Sequence, residues 1–203
     1  MNWQLFPAFL LITLVLILIP GPVVTLVIAT SASKGVRAGL ITVAGSASGL
    51  AVSLTVIAMG LSFVLKHALF WFDVLRWAGA AYLIWLGIQA WRGASHVAPT
   101  PPRDHVHFGR GFLAALLNPK VIAFFTAFLP QFIDPSLPVG PQLAIMAAVT
   151  AGLAALSDST WAILAGLGRT WFLHPSRTKL LGRISGLTLI GGGIWLSLSR
   201  RPV

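Results

Sequence analysis

The sequence predicts an all-α integral membrane protein of six transmembrane helices, built as two inverted three-helix repeats with broken first and fourth helices. Three observations predict it. The 203-residue chain is 57% hydrophobic and 9% charged, whereas soluble domains carry roughly a quarter charged residues. Six apolar segments, about 5–29, 39–65, 69–91, 111–133, 141–167 and 180–199, each reach the ~20 residues that a helix needs to cross a bilayer. The first and fourth of them are interrupted at comparable places by proline.

These runs read as helices because backbone polar groups in lipid must be bonded within the segment itself. Leu5 to Ile19 also resembles a signal sequence. However, no Lys or Arg precedes it and no clear small-x-small cleavage site follows it, the nearest candidate lying around Ala29 to Ser33. The first segment is therefore expected to remain as a working helix. Connections are short except at 93–107, a Pro- and His-containing loop with Pro99, Pro101 and Pro102, predicted to be solvated and cytoplasmic. It separates a first repeat at 1–92 from a second at 108–203.

The formal charge of +10 does not point to nucleic acid, because the bases are scattered between apolar runs and form no soluble basic face. Nine of the 14 basic residues fall in the loops after spans one, three and five: Lys34, Arg37, Arg92, Arg103, Arg110, Arg169, Arg177, Lys179 and Arg183. Four fall on the other side (Lys66, Arg76, Arg200 and Arg201), and Lys120 lies inside a span. The positive-inside rule then places both termini outside the cytoplasm. Trp3, Trp71 and Trp77 fall near the outer boundaries, and Trp91 and Trp171 near the inner ones, as interfacial anchors do.

Pro20-Gly21-Pro22 breaks the first span and Asn118-Pro119-Lys120 the fourth. Proline removes a donor and clashes with the preceding turn, so each helix should kink or unwind there. The segments after the breaks, Pro20 to Lys34 and Pro119 to Asp134, have similar lengths, and Gly49-Leu50-Ala51 in span two matches Gly152-Leu153-Ala154 in span five. Three spans separate the copies, so they would run upside down relative to one another, the usual pointer to a transporter site near the midplane. Two unrelated proline kinks would give the same pattern.

The acids are Asp73, Asp104, Asp134 and Asp158. Asp158 alone lies deep in a span, where a carboxylate is costly and should face the protein interior or water. It reads as a proton carrier, as a ligand for a substrate ammonium group, or as a structural partner of Lys120. Lys120 itself could neutralise a carboxylate, pair with Asp158 or snorkel to the interface. The N-terminal turns around Val23 to Thr25 and Val121 to Ala123 offer free N–H groups and a positive dipole end suited to an anionic group. Asn118 and Gln131 can add orienting hydrogen bonds. The substrate-binding set is thus Pro20, Gly21, Pro22, Thr25, Asn118, Pro119, Lys120 and Gln131, with Asp158 for proton or ammonium coupling.

Other classes find no residues to rest on. His96, His105 and His107 sit in or beside the Pro-rich loop without nearby Glu or Cys, and no metal site is expected there. Cys is absent, which removes disulfides, thiolate metal sites and dithiol redox chemistry. No triad, phosphate loop or zinc-protease motif is present, so neither an enzyme nor a bound cofactor is expected. Gly35/Gly39, Gly45/Gly49 and Gly182/Gly186 read as helix-packing pairs. The expected partners are the lipid bilayer and a small solute, and the sequence is compatible with a homo-oligomer.

Taken in order, the motifs resemble the lysine exporter superfamily, and more closely its homoserine/threonine (RhtB-type) branch. They are Pro20-Gly21-Pro22 before a basic loop with Gly35 and Gly39, then Leu75 to Gly87, Gly111-Phe112, and Leu116-Leu117-Asn118-Pro119-Lys120. Phe128-Leu129-Pro130-Gln131-Phe132 and Asp158 complete the series. The resemblance covers nearly the whole chain and implies export of amino acids or their derivatives across a bacterial inner membrane, coupled to the proton gradient. Relatives that handle basic amino acids carry further intramembrane acids. The second span has none here, so a neutral substrate is expected. The alternatives are a membrane structural or assembly protein, or an exporter of another small solute such as a metal ion; a metal exporter would want soft or several carboxylate ligands.

Overall fold

Apolar runs bounded by glycine and proline become helices. The computed structural model describes residues 4–18, 20–67, 69–93, 107–172 and 174–198, all of it helix and short connections. The helices are α1 (Phe6–Leu18), α2 (Pro22–Lys34), α3 (Val36–His67), α4 (Leu69–Gly93), α5 (His107–Leu116) and α6 (Pro119–Phe128). A 3-10 turn at Leu129–Phe132 leads to α7 (Val139–Leu167), α8 (Arg169–Phe172) and α9 (Pro175–Leu198). Among the described residues three helical segments are long and apolar enough to cross a membrane: Val36–Leu61, His107–Phe132 and Val139–Leu167. The α1–α2 pair makes a fourth if it is one broken span, its halves meeting at 46°. Helices of 25 and 24 residues, α4 and α9, occupy the two remaining stretches. Of the loop expected at 93–107, residues 94–106 lie outside the described set, with His96, Arg103 and His105; so do Trp3, Arg200 and Arg201.

Both proline motifs start helices. Pro22 and Pro119 stand in the first turn of α2 and α6, where a missing N–H costs nothing. Extended backbone at Gly21 and Asn118 precedes them, and the Asn118 side chain accepts from the Lys120 backbone N–H at 3.1 Å. The segment after the first break runs on to Lys34, five residues past the expected end of the span. The hydroxyls of Thr25 and Ser33 fold onto the helix's own carbonyls, Ser33 Oγ on Ala29 O at 2.6 Å, so they need no water. Gly35 then stops it at φ +94°. Gly35 therefore caps a helix and is not a packing residue, whereas Gly39 does pack: a Cβ there would stand 2.6 Å from Ser31 Cβ. The segment after the second break is α helix only to Phe128, because Pro130 has no N–H to continue the ladder and the chain tightens into the 3-10 turn.

Two seams hold the helices in register. On α3, a Cβ at Gly45 would lie 2.0 Å from Phe108 O and one at Gly49 2.2 Å from Phe112 O; on α5, one at Gly111 would lie 2.1 Å from Thr42 O. The α3 and α5 backbones thus touch, which only glycine allows. On the far side, Gly87 of α4 meets Gly186 of α9 in the same way. A ring cluster fills the end away from most of the basic residues. Phe128 stands 4.3 Å from Phe124, 4.6 Å from Phe132 and 5.4 Å from Trp195, and Phe132 stands 5.7 Å from Phe9. Buried Gln142 closes the same end by accepting from Asp134 N at 3.0 Å and donating to Asp134 O at 2.9 Å.

The ends of α2, α7 and α8 meet at the opposite end. Arg169 donates from Nε to Ala32 O and from Nη2 to Ser33 O at 2.8 Å, capping the C-terminal carbonyls of α2, and Ser31 Oγ donates to Ala162 O. The exposed Trp171 and Trp91 are here, each under an arginine: Arg177 at 5.2 Å and Arg183 at 5.5 Å from the ring centroid. Trp77, expected at the other boundary, is also exposed.

Candidate functional site

The two breaks meet. A Cβ built on Gly21 would stand 3.3 Å from Lys120 Cδ and 3.4 Å from its Nζ, so the gap in the first helix is filled by the lysine that follows the second gap. Lys120 is buried, and its ammonium donates to Leu16 O at 3.0 Å. Leu16 lies in the last turn of α1, whose carbonyls lack intrahelical partners and form the negative end of the helix dipole. The cation does not snorkel. It caps α1 inside the bundle.

Asp158 approaches from α7. It is buried, its Oδ2 accepts from Ser46 Oγ of α3 at 3.3 Å, and Ser46 Oγ also lies 3.0 Å from Val43 O. Asp158 and Lys120 interact electrostatically across a shared cavity. The cavity holds about 70 Å³, against the roughly 300–1,000 Å³ of pockets that hold drug-sized ligands. In this conformation it has room for a few waters, each needing at least about 10–15 Å³ of such space.

Its walls come from both breaks and both flanking helices. Val23, Val24 and Val121 line it, and helix geometry leaves their N–H groups without an intrahelical acceptor. Two positive helix ends, one ammonium, one carboxylate and the Ser46 and Thr150 hydroxyls thus face a space closed by Leu16, Leu50 and Phe125. Such a set can hold a small zwitterion: dipole ends and ammonium for an anionic group, carboxylate for a cationic one.

Of the residues singled out from the sequence, Gly21, Asn118, Lys120 and Asp158 line this cavity. Pro20, Pro22 and Pro119 shape the breaks beside it. Thr25 turns its hydroxyl back to Gly21 O at 2.9 Å, and Gln131 donates to Ala127 O at 3.2 Å in the 3-10 turn; neither is in the lining. Sequence reasoning missed Ser46, Thr150 and the Leu16 carbonyl. Thr150 carried a usable signal: with Ala154 and Asp158 it repeats at four residues, one face of a helix. Ser46 is one hydroxyl among many and had none.

A second cavity of about 640 Å³ lies on the same pair of helices, one turn farther from the basic end. Leu54, Ala58, Leu143, Ala147 and Ala151 are among its walls. Because α3 and α7 run antiparallel, with Gly39 against Ala162 and Ser46 on Asp158, the two cavities follow one seam.

Residues 14–200 match the family model described as "LysE type translocator". The chain is 34% identical to the homoserine/homoserine lactone efflux protein of Salmonella typhimurium, over 98% of this chain and 99% of that one. It is 29% identical to the leucine efflux protein of Klebsiella pneumoniae, over 87% and 86%, and 30% identical to a membrane protein of Vibrio cholerae, over 98% and 100%. No solved structure matches it. With its buried lysine and aspartate between two broken helices and a family match over nearly its whole length, this multi-pass bacterial membrane protein belongs to the LysE type translocator family.

Proposed function

We propose that the protein exports neutral amino acids or their close derivatives, with substrate held between the Gly21 and Asn118–Lys120 breaks and Asp158 coupling movement to the proton gradient. The observation that carries this reading is the contact of the two breaks, Gly21 against the Lys120 side chain, around a cavity with one carboxylate. The efflux proteins among its relatives, named for homoserine, its lactone and leucine, support the substrate class. The substrate carboxylate would face the α2 and α6 N-termini, and its ammonium Asp158. One carboxylate serves either to bind an amine or to carry a proton in alternation, which couples the two.

Six spans in two inverted repeats, 1–92 and 108–203 about the 93–107 loop, would place Pro20 and Pro119 together near the midplane. The packing at the basic end supports an alternating-access reading. The basic end, cytoplasmic by the positive-inside rule, is fastened by Arg169 and Ser31, while the larger cavity lies between α3 and α7 farther from that end. We read this conformation as outward-facing with a contracted site.

Inverted membrane vesicles with an acid lumen test the reading: they should accumulate labelled homoserine or leucine only when the protein is present. Asp158→Asn should abolish driven accumulation in protein that is folded and inserted. Equal uptake in vesicles lacking the protein would end the exporter reading. Recovery of transport in Asp158→Asn/Lys120→Met, where each single change fails, would make the carboxylate a structural partner of the lysine.

A further inference from the structure

In a helix, a threonine hydroxyl with nothing else to do turns back to the carbonyl four residues before it. Thr25, Thr42, Thr55, Thr160 and Thr188 all do so, at 2.8–3.0 Å. Thr150 does not. It is 1% exposed, its Oγ1 is buried with no hydrogen-bond partner, and it lines the central cavity on the same face of α7 as Asp158, two turns away. Thr13 is also without a partner, but it lies outside the cavity lining. Leaving a buried hydroxyl unpaired is unfavourable unless something arrives to bond it.

We infer that Thr150 is a specificity residue that hydrogen-bonds an oxygen on the substrate side chain, so that the site selects amino acids with a side-chain hydroxyl or ester oxygen over aliphatic ones of the same size. The inference rests on the proposed substrate position between the breaks. With the α-amino group at Asp158, a side chain running along α7 away from the basic end reaches Thr150 past Ala154. The surroundings there, Leu16, Leu50 and Ala154, are apolar, so the hydroxyl is the polar feature that distinguishes side chains of equal length. A site built to bond a hydroxyl discriminates strongly against an analogue lacking it, because its own buried group is then left unpaired.

Homoserine and norvaline differ only by hydroxyl for methyl, and competition between them in vesicles containing the protein is the test. The wild type should prefer homoserine by about five- to a hundredfold. Thr150→Val, which keeps the shape, should bring the ratio close to one; Thr150→Ala should do the same, and Thr150→Ser should keep the preference. A wild type that takes both equally, or a Thr150→Val that keeps the wild-type ratio, overturns the role of Thr150 while leaving amino-acid export standing. Transport of neither amino acid overturns the export reading and this inference with it.

Discussion

Replacing Arg169 by alanine should unfasten the basic end of the bundle. Two hydrogen bonds run from this guanidinium to the last carbonyls of α2, from Nε to Ala32 O and from Nη2 to Ser33 O. A net bond contributes about 0.5–1.5 kcal/mol, and because Arg169 is solvent-exposed the lower half of that range applies to each. Their joint loss is about 1–2 kcal/mol, a shift of roughly five- to thirtyfold in the balance between closed and open conformations. The Ser31 bond to Ala162 O and the packing of Gly39 remain, so the helices should part without unfolding. The absence of cysteine makes the measurement direct. Spin labels at Lys34→Cys and Thr170→Cys report the separation of α2 from α8 by pulsed dipolar spectroscopy. Arg169→Ala should move population from a short distance to a longer one, and Arg169→Lys, which keeps the charge but loses the fork, should fall between. Identical distance distributions in all three proteins would refute the latch and leave Arg169 as a surface anchor.

Two further outcomes follow from features outside the site. Gly49→Leu adds a side chain where a Cβ already falls 1.2 Å short of an ordinary 3.4 Å contact with Phe112 O. It should cost about 1–3 kcal/mol by overpacking, a fall of roughly 2–12 °C in the melting temperature of detergent-purified protein, and an unchanged melting temperature would mean that α3 and α5 do not touch there. Cysteine at Thr100 should resist an impermeant thiol reagent in intact cells while cysteine at Val203 reacts; labelling at Thr100 without permeabilisation reverses the proposed orientation.

The helices were legible because lipid allows little else: long apolar runs with few charges read as helices wherever the structure describes them. The breaks were legible for a local reason, since proline acts on its own turn. What proline does there was less so. Kink and helix start share one sequence signal, and only the extended backbone at Gly21 and Asn118 separates them. At the site, Lys120 and Asp158 stood out because a charge in a span is rare and costly. Gln131 stood out equally, yet it bonds Ala127 O one turn back, and nothing in the sequence distinguishes a local acceptor from a distant one. Ser46 and the Leu16 carbonyl were illegible for the converse reason. One is a common residue and the other is backbone, and each is selected only by which helix lies across from it.

The bonds that hold the two buried charges also set a chronology. Lys120 is received by Leu16, 104 residues earlier, and Asp158 by Ser46, 112 residues earlier. In both cases the uncharged acceptor or donor is made first. While the ribosome produces α1 to α3, the site carries no charge, so these helices can enter the bilayer without the roughly 2.5–3.5 kcal/mol that a charge at a helix centre costs during insertion. The charged segments are made only after their receivers. The half that waits is inert, and the half that completes the site is the one that cannot rest comfortably in lipid alone. A separately expressed second half should therefore be the unstable fragment, cleared by the cell unless the first half is supplied beside it.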